Sequence, residues 1–106
     1  MAKYILILKN KRKGTLTNEL LQGHVDHLKK HSINGNIFLA GPFKDNDGAI
    51  QIIEAASRTA AESIVKKDPF VSEKYYQTYE LNELIEANEE NNWLLEDSQT
   101  KGNIEK

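Results

Sequence analysis

The stretch "NIFLAGPFKDNDGAIQIIEA", residues 36–55, predicts the hairpin around which the fold is built. Two apolar runs flank the turn-forming cluster "KDNDG" at 44–48, in which Asp47 and Gly48 form a dipeptide typical of hairpins. Pro42 has no N–H group, so we expect strand pairing to weaken where the first run ends. The two runs therefore predict a pair of antiparallel strands.

On either side of this hairpin, the sequence alternates between strand-like and helix-like patterns. The strands are "KYILILK" (3–9) and "YYQTYELNELI" (75–85), and the helices are "TNELLQGHVDHLKKHS" (17–32) and "SRTAAESIVKK" (57–67). Asp68 before Pro69 matches the start of a further short helix. The order β-α-β-β-α-β with right-handed crossovers predicts an α+β domain, in which a four-stranded antiparallel sheet carries both helices on one face.

The first strand, residues 3–9, is apolar on both of its sides instead of alternating. A strand of this kind is normally covered on both faces of its sheet. The helices cover only one face, and large bare apolar faces are rare on monomers. We therefore predict a homodimer in which the helix-free face of one sheet packs against that of a second copy.

The chain has 106 residues, the length of a single domain, and it contains no cysteine. Disulfides, zinc-thiolate sites and a thiol nucleophile are therefore excluded. The apolar run Tyr4–Leu8 is too short for a signal peptide or a membrane span, so we expect a cytoplasmic protein with no membrane partner.

The charge pattern argues against nucleic acid as a partner, because the net charge is −2 and no basic face is evident. The one basic cluster, "KNKRK" at 9–13, is either a solvated loop or a contact for phosphate or another anion.

Composition divides the chain into a domain over residues 1–86 and an acidic tail over residues 87–106. The tail contains "NNWLLED" at 91–97, an apolar cluster that a disordered tail does not need. We expect the tail to dock through Trp93–Leu95 onto the body of the chain, its dimer mate or another partner. The alternative is a tail without fixed structure.

Several motifs follow one another along the chain: His24 on the first helix, Gly35 after it, "FLAGPF" at 38–43, "DGAIQIIEA" at 47–55 and "DPF" at 68–70. This combination resembles the YciI-like family (YCII-related domain) over about residues 2–85. The resemblance implies a ferredoxin-like fold of the dimeric α/β-barrel group. It also implies a His-Asp site, which on this sequence is His24 with Asp68.

The helix at 17–32 carries all three histidines of the chain, and a helical wheel separates them. His24 falls inside the apolar arc, His31 falls at its edge and His27 falls outside it. His24 and His31 lie about 10 Å apart along the helix axis, too far for one ion to bind both easily. We therefore expect no metal site here.

His24 and Asp68 each allow two interpretations. His24 is either a core residue with satisfied nitrogens or a general acid or base, since imidazole exchanges protons near neutral pH. Asp68 is either a helix cap or the carboxylate that orients the imidazole, and one carboxylate can do both.

The resemblance further implies a small cyclic or aromatic metabolite as ligand, which we expect to bind in a pocket between the first helix and the sheet. The candidate ligand-binding residues are Gly41, Pro42, Phe43 and Phe70. Gly41 and Pro42 either shape a wall of the pocket or are only turn-forming residues at the end of a strand. The aromatic rings of Phe43 and Phe70 either line the pocket or belong to the core.

As an enzyme, the protein would use His24 for proton transfer with Asp68 as its partner, and the resemblance implies lyase or isomerase chemistry, for which we expect no cofactor or metal. The alternative is a non-catalytic small-ligand-binding or assembly module, in which His24 is a structural residue.

Overall fold

The computed structural model describes residues 1–104, and in this range hydrogen bonding defines four strands and four α-helices. In chain order they are β1 (Ala2–Lys11), α1 (Asn18–Ile33), β2 (Ile37–Pro42), β3 (Ala49–Ala55), α2 (Arg58–Lys67), α3 (Pro69–Ser72), β4 (Tyr76–Leu84) and α4 (Ser98–Gly102), with a 3₁₀ segment over Glu89–Leu94. None of the helices in this part of the chain is long and apolar enough to cross a membrane.

The sheet is antiparallel throughout, and its strands lie in the order β2-β3-β1-β4. In the centre, Leu6 of β1 lies opposite Gln51 of β3 on one side and Leu81 of β4 on the other. The first and last strands are therefore neighbours, as a split βαβ arrangement requires. This topology confirms the predicted α+β ferredoxin-like fold.

The hairpin between β2 and β3 closes where the sequence predicts a turn. The Phe43 N–H donates to the Gly48 carbonyl oxygen at 2.9 Å, and the Gly48 N–H donates to Asn46 Oδ1 at 2.8 Å. A Cβ atom on Gly48 would lie 2.9 Å from the Leu8 carbonyl oxygen, so only glycine fits at this close approach. Pro42 is still paired with Ala49 and is the last residue of β2.

One face of the sheet carries the hydrophobic core. Leu6, Leu8 and Ile53 project from β1 and β3 into this core, where Ala61 and Val65 of α2 meet them, and all five are almost completely inaccessible to solvent. Burying a side chain such as Leu6 stabilises the fold by roughly 1.5–3 kcal/mol. The core thereby holds β1 and β3 rigidly beneath the helices.

The opposite face of the sheet is apolar and only partly covered by the rest of the chain. Ile5 pairs with Ile52 and Ile7 pairs with Ile50 across β1 and β3, and all four side chains are half-buried. Phe38, at an irregularity in β2, is 62% exposed. The predicted homodimer would cover this surface, and it remains a prediction.

The histidines of α1 correct one expectation from the helical wheel. His27 and His31 are each only 8% exposed, whereas Leu21 is 42% exposed, so the prediction that His27 lies outside the buried face is wrong. The reason is that α1 packs mainly against α3 and β2. Its histidine side meets the body of the domain, and its leucine side faces a cavity.

The tail continues from β4 through the 3₁₀ segment into α4, and its apolar cluster is mostly open to solvent. Trp93 is 65% exposed and Leu95 is 56% exposed, while Leu94 is half-buried. Asn92, Trp93 and Leu94 have successive positive φ angles of 51°, 57° and 62°. Docking of this cluster through Trp93–Leu95 stays a prediction, and residues 105–106 of the predicted tail lie outside the described range.

Candidate functional site

A cavity of about 400 Å³ lies between α1 and the core-bearing face of the sheet. Its size suits a ligand of one or two rings. The walls are predominantly apolar, with aliphatic side chains from α1, small residues at the end of β2 and aromatic rings near α3 and β4. The residues that line it are Leu8, Lys11, Leu16, Leu21, His24, Val25, Leu28, Ala40, Gly41, Pro42, Ala49, Ile50, Gln51, Phe70, Tyr75 and Tyr76.

His24 and Asp68 meet at the wall of this cavity. The His24 Nδ1 lies 2.8 Å from Asp68 Oδ1, although the two residues are 44 positions apart in sequence. The carboxylate is completely buried, whereas the imidazole keeps a small exposed area. The structure therefore brings together the two residues that the sequence analysis paired.

The chain places Asp68 by a local capping arrangement. Asp68 ends α2 and caps the N-terminus of α3, where its Oδ1 accepts the Phe70 N–H at 2.9 Å. Pro69 occupies the first turn of α3, where a missing N–H costs nothing. The same oxygen thus accepts from the backbone, as a helix cap, and from His24, while the role of Asp68 in orienting the imidazole for proton transfer stays a prediction.

A third group completes the environment of the carboxylate. Gln51 Nε2 donates to Asp68 Oδ2 at 3.1 Å from the neighbouring strand β3. Burial by itself would raise the pKa of the Asp68 carboxyl, but the hydrogen bond and charge of His24, the Phe70 N–H and the Gln51 amide outweigh it and hold that pKa below its ordinary value of 3.8. Asp68 is therefore an anion at neutral pH.

The ring of His24 is fixed in orientation as well as in position. It stacks on the ring of Phe70, with 3.7 Å between the centroids and 6° between the planes. Because an ionised carboxylate only accepts hydrogen bonds, the His24 Nδ1 must carry a proton to bond Asp68. In the neutral ring, Nε2 is then left with its lone pair, available to take a proton.

His27 and His31 form a second pair, behind the cavity wall. Their ring centroids lie 4.5 Å apart, and neither His27 Nε2 nor His31 Nδ1 has a hydrogen-bond partner among residues 1–104. Burial is the main cause that lowers the pKa of both rings below the ordinary 6.5. In the described part of the chain, no three His, Asp or Glu side chains are placed so that they could hold one metal ion.

The four candidate ligand-binding residues do not all reach the cavity. Gly41, Pro42 and Phe70 line it, whereas Phe43 lies in the hairpin loop beside Gly48, outside this lining. Phe43 stays in place there because its backbone closes the turn. Its role in binding a ligand stays a prediction that the geometry does not favour.

Sequence reasoning missed two polar residues of the site. Gln51 is 2% exposed at a core-facing position of β3. A polar residue among apolar strand neighbours was the sequence signal that could have indicated a buried polar partner in the site. Lys11 lies at the end of β1 and lines the cavity. The sequence allowed two interpretations of its basic cluster, a solvated loop or a contact for an anion.

Comparison with known proteins supports the fold and identifies the family. No curated protein matches the chain significantly. Among solved structures, the chain is similar to 5-chloro-2-hydroxyhydroquinone dehydrochlorinase from Burkholderia phenoliruptrix, determined in complex with 2,5-dihydroxybenzoquinone. The TM-score is 0.62 at 22% sequence identity, and the match covers 82% of this chain and 97% of the dehydrochlorinase chain.

The family model of the YCII-related domain matches residues 2–85, which is most of the chain and the whole of the sheet with its three core helices. The match ends where β4 ends, so the 3₁₀ segment and α4 lie outside it. This chain belongs to the YCII-related domain family.

Proposed function

We propose that this protein binds a small ring-shaped metabolite in the cavity and transfers a proton on it through His24, with Asp68 as the partner that orients the imidazole. The observation that carries the proposal is the 2.8 Å contact between His24 Nδ1 and Asp68 Oδ1 at the wall of an apolar cavity. The reaction class is that of a lyase or isomerase that works without a cofactor.

The proton transfer follows from the state of the two groups. With Nδ1–H bonded to Asp68, the His24 Nε2 takes a proton from an acidic C–H or O–H of the ligand, and the same atom returns it to another atom of the ligand. The imidazolium formed in between is stabilised by a buried carboxylate whose low pKa keeps it ionised. Asp68 itself does not need to take up the proton.

The shape of the cavity supports a flat ligand. His24 and Phe70 form one stacked pair of rings, and Tyr75 and Tyr76 add two more aromatic faces beside Phe70. Flat aromatic walls of this kind favour offset or edge-on contacts with another ring. The dehydrochlorinase with the same fold was determined with a dihydroxylated quinone, a ligand of this class.

The binding step is tested by isothermal titration with dihydroxybenzoquinone as the probe. We expect wild-type protein to bind it, and we expect Val25→Trp to weaken binding by at least about tenfold, because Val25 lines the cavity and the indole would fill it. Ile33→Trp is the matched control, since Ile33 is on the same helix and 86% exposed. Equal affinities of wild type and Val25→Trp would contradict binding in this cavity.

A further inference from the structure

Unlike the other two lysines of β1, Lys11 forms no ion pair in the described part of the chain. Lys3 pairs with Glu54 and Glu86, and Lys9 pairs with Glu80. Lys11 pairs with no carboxylate among residues 1–104, although it is a half-buried residue of the cavity wall. Its Nζ lies 5.7 Å from the ring centroid of Tyr76, another residue of that wall.

The left-handed backbone of Asn10 turns Lys11 towards the cavity. Lys3 and Lys9 stand at alternate positions of β1 on the helix-free face, and regular alternation would place Lys11 on that face too. Asn10 has a left-handed φ of 59°, which interrupts the alternation immediately before Lys11. The Asn10 side chain donates to Thr78 Oγ1 at 2.8 Å and so holds this conformation against β4.

The charged groups around the cavity are unequally placed: Lys11 is part of its wall, whereas the carboxylates that act on Tyr76, Asp47 and Asp68, are not. Lys11 is the only lining residue with a permanent charge, and none of the lining residues is acidic. Asp68 stands behind His24 and is completely buried by its three hydrogen-bond donors. Beside apolar walls, where water screens poorly, an ammonium group without a partner attracts an anion more strongly than it would at an open surface.

We propose that Lys11 selects ring compounds that carry an anionic substituent, a carboxylate or an ionised ring hydroxyl, and holds this substituent at the Tyr76 end of the cavity. The ring then lies against the apolar wall that contains His24 and Phe70. This inference rests on the proposed function, and it narrows the ligand class from small rings in general to anionic rings. Lys11 acts on specificity, by binding the part of the ligand that does not react.

The probes for this proposal are benzoate and benzamide, which have nearly the same size and differ in charge. We expect NMR titration of the wild-type protein to show at least about tenfold tighter binding of benzoate, with shifts at the cavity residues. Lys11→Met should remove this preference, and Lys11→Arg should keep most of it because the charge remains. Lys13→Met is the matched control, since Lys13 belongs to the same basic cluster but does not line the cavity.

Equal binding of benzoate and benzamide by the wild-type protein would overturn the proposal, as would an undiminished preference in Lys11→Met. Either result would leave the proposed function standing if Val25→Trp weakens the binding of both probes, as it is expected to weaken that of dihydroxybenzoquinone. Binding of both probes at sites away from the cavity would instead count against the proposed function itself. A preference that Lys13→Met reduces as much as Lys11→Met would show a general charge effect and would also overturn the role of Lys11.

Discussion

At the scale of single residues, the site depends on which groups are charged and which are neutral. Asp68 is buried as an anion because three donors compensate its charge, from His24, Phe70 and Gln51. His27 is buried without such compensation, so its neutral form is the one that fits the fold. The same helix thus presents one histidine that is hydrogen-bonded to a carboxylate and two others for which burial disfavours a proton.

The two buried histidines make the stability of the fold depend on pH. Burial, with additional repulsion from Lys30 and Lys67 on His31, lowers the pKa of His27 and His31 below 6.5. The unfolded chain therefore binds more protons than the folded chain as the pH falls below that value, so stability is full above it and declines on acidification. The Asp68 carboxyl, with its pKa below 3.8, contributes only to losses at much lower pH.

We expect the midpoint of thermal unfolding to be lower at about pH 5.5 than at about pH 7.5. The double variant His27→Gln/His31→Gln should show a smaller difference between the two pH values than the wild type. Circular dichroism melts of both proteins measure this difference. An equal pH dependence in the variant would show that these histidines are not responsible for it.

The residue-level content of the site was only partly predictable. His24 and Asp68 could be paired because each belongs to a motif that the family resemblance covers. Gln51 and Lys11 could not be predicted as residues of the site, for different reasons. The hydrogen bond from Gln51 depends on where β3 passes Asp68, and the direction of Lys11 depends on the left-handed backbone at Asn10.

At the scale of elements, strands and turns followed their local signals, whereas the buried face of α1 did not. The hairpin at 43–48 closes at Gly48, where close approach of the Leu8 carbonyl leaves no room for a side chain. The helical wheel of α1 assumed that its leucines pack on the sheet. In the fold α1 leans on α3 instead, and Gly23 permits this approach because a Cβ there would lie 3.2 Å from Pro69 Cγ.

This packing of α1 also explains why a cavity exists at all. The side of α1 that carries Leu21, Val25 and Leu28 is not pressed onto the sheet, so apolar side chains and strand residues enclose an open volume between them. A wheel drawn from sequence alone cannot distinguish an apolar stripe that packs from one that lines a cavity. The site therefore arises from the relative placement of elements, which local sequence does not encode.

At the scale of the whole molecule, the exposed sheet face is the feature that the fold of one chain leaves unexplained. Ile5, Ile7, Ile50 and Ile52 form a half-buried aliphatic surface, with the exposed ring of Phe38 beside it. An interface of about 1,200–2,000 Å² in total is typical of a stable pair, and a four-stranded sheet face can supply it. We expect two copies to pack through this face.

We expect light scattering of the wild-type protein to give twice the mass of one chain. Ile52→Glu should give the mass of a single chain, because a charge would be buried at the centre of the interface. Ile33→Glu should leave the mass unchanged, since Ile33 lies on α1 and is 86% exposed. A wild-type mass of one chain, or dimers that persist in Ile52→Glu, would contradict packing through this face.

The central claim is that His24 transfers a proton to and from a ring held in the cavity, and isotope exchange tests it without knowledge of the natural substrate. Dihydroxybenzoquinone exchanges its ring C–H for deuterium when a deuteron is delivered to the ring carbon and the original proton is removed from it.

NMR in heavy water measures this exchange with wild-type protein, with His24→Gln, and with free imidazole at equal concentration. His24→Gln replaces the imidazole by an amide, which forms hydrogen bonds but has no group that exchanges protons near neutral pH. The account predicts that wild-type protein accelerates exchange beyond free imidazole and that His24→Gln binds the ring without this acceleration. Exchange at the same rate in both proteins, with the ring bound, would contradict it.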